Sequence, residues 1–147
     1  MHTGPHLHFN GNCSEALTFY AKLLGGGIAF RITYGESPAA AQTPPAMRNQ
    51  IIHARLDLGG QFLLGCDTPP ERYHVPQGFN VMLAVETPEE AERIFNALAD
   101  NGNVTMPFQE TFWARRFGMC TDRFGIPWMV NCAKPDEAVS RAARGSA

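Results

Sequence analysis

Two segments of this chain superpose residue on residue at a shift of 75 positions, and that repeat limits the folds open to it. Ser14 to Leu24 (SEALTFYAKLL) sets Ala16, Leu17, Phe19, Tyr20, Leu23 and Leu24 at helical spacing. Pro88 to Asn101 (PEEAERIFNALADN) does the same with Ala91, Ile94, Phe95 and Leu98. Glu15 meets Glu90, Ala16 meets Ala91, Phe19 meets Ile94, Tyr20 meets Phe95 and Leu23 meets Leu98. The ends agree as well. Asn12 or Ser14 can cap the first helix, and Thr87 caps the second, with Pro88 first inside and Glu89-Glu90 in the acidic first turn. Gly25-Gly26-Gly27 and Asn101-Gly102 supply the stops.

A short extended piece precedes each helix, His6 to Asn10 and Val81 to Val85. Three strand-like runs follow each. In the first half they are Ile28 to Tyr34, Ile51 to Leu58 and Gln61 to Cys66, with Gly59-Gly60 as a hairpin turn. In the second they are Val104 to Phe108, Phe117 to Thr121 and Pro127 to Cys132, with a turn at Asp122 to Gly125. The expected fold is therefore α+β, two βαβββ modules in one chain. A long period repeated only twice is an internal duplication rather than a solenoid. Module one spans about 4–67, a proline-bearing linker about 68–77, module two about 78–133 and a polar tail 134–147, the tail expected to fray or form a loose helix. Gly35 to Asn49, rich in Pro and Ala, reads as an inserted loop of the kind that is functional or mobile.

The totals exclude several classes. At 147 residues and a net charge of -2, the chain fits one domain and carries no basic field for nucleic acid. Its N-terminus lacks the pattern of a secretory signal, and no window is long and apolar enough for a membrane helix. Cys13, Cys66, Cys120 and Cys132 form no C-x-x-C pair, so reduced thiols in a cytoplasmic protein are expected rather than a zinc knot or disulfides.

The pieces FNGNCSEALTFYAKLLGG, YGESP, IIHARLDLGG and above all QETFWARRFGMCTDRFGIPWMVN resemble the PhnB-like branch of the vicinal oxygen chelate superfamily, which includes glyoxalase I, fosfomycin and bleomycin resistance proteins and extradiol dioxygenases. The resemblance runs nearly the whole way to Ala133. It implies eight strands curled into a cup-shaped sheet around a cavity, helices outside, and a homodimer. It also implies, in many members, a divalent ion held by residues on the first and last strands of each module.

Counting from the helices and turns puts those four positions at Pro5, Leu64, Asn80 and Met129, none a good ligand for a hard or borderline cation. The expectation is thus an apolar cavity floor, no metal and no cofactor. The count turns on strand register. His6 and His8 share one face of a strand, and a shift of one residue would turn both inward, with His53 on a facing strand.

The site residues expected from the aromatic stretch and the first strand are Phe9, Glu110, Trp113, Arg116 and Trp128. Indole faces with one N–H each, a guanidinium fork for an anionic oxygen and a carboxylate that could pair with it describe a small-molecule pocket. The same residues also suit a packing role: Trp128 lies in a strand, and Asp122 and Gly125 are turn residues. No residue is assigned to catalysis. Two functions remain. One is a protein that binds a small oxygenated or aromatic molecule in the sheet cavity. The other is a metal-dependent lyase, isomerase or resistance-type transferase using recruited histidines. A third, methyl transfer, lacks the glycine-rich strand-to-helix loop a nucleotide-type cofactor wants.

Overall fold

The protein is described here from a computed structural model, in which residues 1–135 can be placed. The expected tail lies, apart from its first two residues, outside the described part. The chain divides into two compact units, residues 1–76 and residues 77 onward.

Unit one runs β1 (His6–Phe9), α1 (Cys13–Leu24), β2 (Gly27–Thr33), β3 (Ile51–Leu58) and β4 (Gln61–Asp67). Its sheet has the order β1-β4-β3-β2, with β1 parallel to β4 and the other neighbours antiparallel. Unit two runs β5 (Val81–Ala84), α2 (Pro88–Ala99), β6 (Asn103–Gln109), β7 (Ala114–Thr121) and β8 (Pro127–Ala133), in the matching order β5-β8-β7-β6 with β5 parallel to β8. Each unit is one βαβββ module, an α+β fold with two four-stranded mixed sheets. The insertion at 35–49 is not plain loop: residues 34–36, 40–42 and 45–47 form short 3-10 turns.

Each helix covers one face of its own sheet. Leu7 and Phe9 of β1 are buried with Cys13, Ala16, Leu17 and Tyr20 of α1 and Leu56 of β3. Gly65 on β4 lets the helix come close, since a β-carbon there would lie 3.2 Å from Cys13 Sγ and 3.3 Å from Phe9 Cε2. In unit two, Ala91, Ile94, Phe95 and Leu98 of α2 are buried with Cys120, Trp128 and Val130 of the sheet. Gly118 serves the same close approach, its absent β-carbon leaving room for the Phe95 ring. Burying each large apolar side chain here contributes about 1.5–3 kcal/mol.

Two buried carboxylates tie the strands to the turns. Asp67, at the end of β4, accepts from the Cys13 amide at 2.9 Å through Oδ1 and from the Ile51 amide at 2.8 Å through Oδ2. Helix α1 is thus capped from across the sheet. Asn12 holds the N-cap position, but its side chain caps nothing, and Ser14 lies inside the helix. Thr87 does cap α2, accepting from the Glu90 amide. Asp122 organises the β7–β8 turn, its Oδ1 accepting from the amides of Phe124 and Ile126 and its Oδ2 from the Trp128 indole. All four cysteines are free thiols.

Removing the Asp67 carboxylate leaves two buried amides without partners, each costing about 1–3 kcal/mol. Asp67→Ala is expected to lower the unfolding free energy by about 2–4 kcal/mol in urea titrations. A loss below about 1 kcal/mol would show that this carboxylate does not hold α1 to the sheet.

Candidate functional site

Alternation along each strand sends successive side chains to opposite faces, so the face away from each helix is set by what the helix buries. In unit one, burial of Leu7 and Phe9 turns His6 and His8 to that far face. His6 pairs with Leu64 and His8 with Cys66 across the parallel β1–β4 ladder. The position beside Leu64 is therefore held by His6 and not by Pro5, a one-residue correction to the register counted from the helix.

The far face of unit one gathers imidazoles and a thiol. His6 and His8 have ring centroids 5.1 Å apart, and His53 stacks on His6 at 5.9 Å with nearly parallel planes. Cys66 Sγ lies 3.6 Å from His8 Nδ1, which also meets Thr68 Oγ1 at 2.8 Å. Desolvation first, then the neighbouring His8 and His53, hold the His6 pKa below its ordinary value. Desolvation raises the Cys66 thiol, against a hydrogen bond from Thr68 that lowers it. Burial pushes Cys120 up to about 11 and raises Cys13 further still. A surface cleft of about 530 Å³ lies nearby in sequence, between the insertion and the linker, lined among others by Tyr34, Gln42, Met47 and Arg72. The Tyr34 hydroxyl donates to the Asp67 carbonyl at its edge.

The far face of unit two is different. Met82 pairs with Met129, Met129 with Met119, and Met119 with Met106. These three pairings run through all four strands in the order β5-β8-β7-β6 and make one row of four thioethers across the sheet. Met82 is 51% exposed and Met106 37%, with Met119 and Met129 half-buried between them. Next to the row, Phe117 pairs with Asn131. Trp113 packs edge-on against Phe117 at 5.2 Å, and Phe112 against Trp113 at 4.7 Å. Asn131 is 7% exposed, and its Oδ1 has no hydrogen-bond partner among the described residues. Buried polar atoms are nearly always paired, so an orphan carbonyl beside apolar side chains marks a place where a donor is wanted.

The expected site residues divide accordingly. Trp113 belongs to the far-face cluster. Phe9 and Trp128 do not: each is fully buried on the helix side, Phe9 against α1 and Trp128 with its indole N–H given to Asp122 at 2.8 Å. Glu110 is exposed, in the turn before β7. Arg116 is not in that turn but inside β7, opposite Cys132, where it is exposed and donates to the Arg115 carbonyl. Arg115 is committed to backbone, donating to the carbonyls of Ala133 and Glu86. Met106, Met119 and Asn131 were not foreseen as site residues. Their strand parity is readable, but the bulges in β6 that bring Met106 opposite Met119 are not.

Comparison with known proteins places the chain in a family. The family model described as 3-demethylubiquinone-9 3-methyltransferase matches residues 2–131. The chain belongs to this PhnB-like family. Protein YjdN of Escherichia coli is 39% identical, over 91% of this chain and 97% of its own. The crystal structure of protein PA1353 from Pseudomonas aeruginosa is 45% identical with a TM-score of 0.83, covering 90% of this chain and 98% of that one. The PhnB protein of Bacillus cereus is 26% identical with a TM-score of 0.78, covering 90% and 100%. At 13% identity and a TM-score of 0.62, over 92% of this chain and 93% of that one, a glyoxylase/bleomycin resistance protein/dioxygenase domain from Frankia shares the fold alone.

The metal that the resemblance implies does not fit the four positions counted for it. The first- and last-strand positions of unit one hold His6 beside Leu64; in unit two Met82, not the counted Asn80, lies beside Met129, because Asn80 precedes β5. Leucine offers no donor, and thioethers are poor ligands for the borderline cations such sites use.

Burial predicts the thiol chemistry of the folded protein. One thiol in four, Cys66, is expected to react with a small disulfide reagent under native conditions, and Cys66→Ser should abolish that fast reaction. A fast thiol surviving in Cys66→Ser would show that the burial assigned to Cys13, Cys120 or Cys132 is wrong.

Proposed function

We propose that this protein binds a small, flat, largely apolar molecule bearing an oxygen or nitrogen donor, on the far face of the module-two sheet. The observation that carries the reading is the row Met82–Met129–Met119–Met106. Methionine is flexible and polarizable, packs well against ring edges, and is favoured at surfaces that accommodate ligands of varied shape. Trp113 and Phe117 supply rigid aromatic wall beside it. Asn131, with its Oδ1 unpartnered among the described residues, would supply an acceptor for a hydroxyl or N–H of the ligand once its side chain turns outward.

The names of the relatives agree with this class. The demethylubiquinone in the family's name is an oxygenated ring. Methyl transfer itself gains no support from the residues, because Gly11 is the lone glycine between β1 and α1. The metal-dependent enzyme of the alternative reading would have to recruit histidines of module one, since Leu64, Met82 and Met129 supply no ligand; the methionine row favours binding on module two. The same resemblance supports a homodimer. Four free thiols support a reducing, cytoplasmic setting. Among the described residues no helix is long and apolar enough to cross a membrane.

The test is a titration with anilinonaphthalene sulfonate, an amphipathic aromatic probe, followed by its fluorescence and by the melting temperature of the protein. Saturable binding with stabilisation is expected, because a ligand held only by the folded state raises its stability. Met119→Lys and Trp113→Ala, each checked for folding by circular dichroism, should weaken it about tenfold or more, a change of about 1.4 kcal/mol. Unchanged affinity in both variants would remove the ligand from this face.

A further inference from the structure

The cluster on module one points to a second site that does not depend on the module-two platform. We propose that His6, His8 and Cys66 together hold one zinc-type divalent transition-metal ion. This donor set is not the superfamily pattern. It lies within one module, on two neighbouring strands, and it uses a thiol two residues beyond Leu64.

The backbone already arranges the three donors. His8 and Cys66 are direct partners in the parallel ladder, and His6 sits two residues before His8, on the same face. Their ligand atoms all lie within 4.8 Å of one another. Among the described residues this is the one His, Cys, Asp or Glu group with that property. The 3.6 Å between Cys66 Sγ and His8 Nδ1 matches the separation, about 3.6 Å, of a sulfur and a nitrogen bound tetrahedrally at about 2.3 and 2.0–2.1 Å. Both histidines are exposed and Cys66 half-buried, so the ion has access and the side chains can close by small rotations.

The chemistry of the set selects the ion. One thiolate and two imidazoles suit zinc and its neighbours, and are poor for magnesium or calcium, which prefer oxygen. Three protein donors leave a fourth position of a tetrahedral centre for water or an added ligand, the pattern of an open rather than a purely structural site. Asp67 does not fill it, because both carboxylate oxygens are taken by the Cys13 and Ile51 amides. His53 supports the site from beside, its ring stacked on His6.

Cobalt(II) added to the full-length, untagged, chelator-stripped protein tests this directly. One equivalent per chain should give the intense visible bands of a tetrahedral centre and a thiolate-to-cobalt charge-transfer band in the near ultraviolet, both displaced by zinc. Cys66→Ser should lose the charge-transfer band, and His8→Ala should weaken cobalt binding about tenfold or more, with circular dichroism confirming that each variant folds. A zinc-dependent rise in melting temperature should disappear in the same variants. No stoichiometric cobalt spectrum in the wild-type chain, or a charge-transfer band that survives in Cys66→Ser, overturns the assignment. Probe binding to the methionine face is expected to be unaffected in Cys66→Ser, which separates this site from the first.

Discussion

Burial of Leu7 and Phe9 beneath α1 decides which way the rest of the first strand faces. A strand has only two faces, so a helix that takes the odd-numbered residues of β1 gives the far face to His6 and His8. A slip of one residue would place two imidazoles in the core and strand two large apolar groups outside, losing several kcal/mol of burial. The same rule operates in module two, where Trp128 and Val130 go to the helix side and Met129 to the other. The helices, far from being decoration on the sheets, choose the chemistry of the opposite surfaces.

Those surfaces have diverged although the modules share a plan. Module one carries imidazole, thiol and hydroxyl groups on its far face, and module two carries thioethers, aromatic rings and one amide carbonyl. The helix sides share a device, though not a position. Each module uses a buried aspartate near the end of a strand, Asp67 or Asp122, to satisfy several otherwise orphaned donors. An acceptor-only side chain with two oxygens suits that task, and its loss would leave unpaired amides in a dry interior. Function lives in such surface chemistry rather than in the plan the modules share.

Much of this was legible in the sequence. Helical spacing at 14–24 and 88–101, Pro88, the Gly59-Gly60 turn and the 75-residue offset define both modules to within a few residues. The face of β1 was not placed, although the His-Leu-His-Phe alternation carries it. Counting back from the helix assumes a fixed path along the strand, and it misses by one residue in module one and by two in module two. Trp128 looked like a ligand-facing indole because periodicity cannot say that Asp122 takes its N–H. The methionine row lies beyond any single-strand reading. It depends on cross-strand register, and in β6 that register shifts twice. Cys66 was hidden for a related reason: its partnership with His8 exists only once β1 and β4, nearly 60 residues apart, lie side by side.

The central claim is that module two offers its ligand a floor of four methionines. The protein has six methionines, and the other two, Met1 and Met47, lie in unit one, Met47 lining the cleft between the insertion and the linker. Methyl-labelled methionine NMR therefore reads the claim directly. Adding a phenolic or naphtholic ligand should shift the methyl signals of Met82, Met106, Met119 and Met129 together and leave Met1 and Met47 in place. A shift confined to Met47 would move the binding site to the module-one cleft and contradict the account, as would ligand binding that leaves all four signals of the row unmoved.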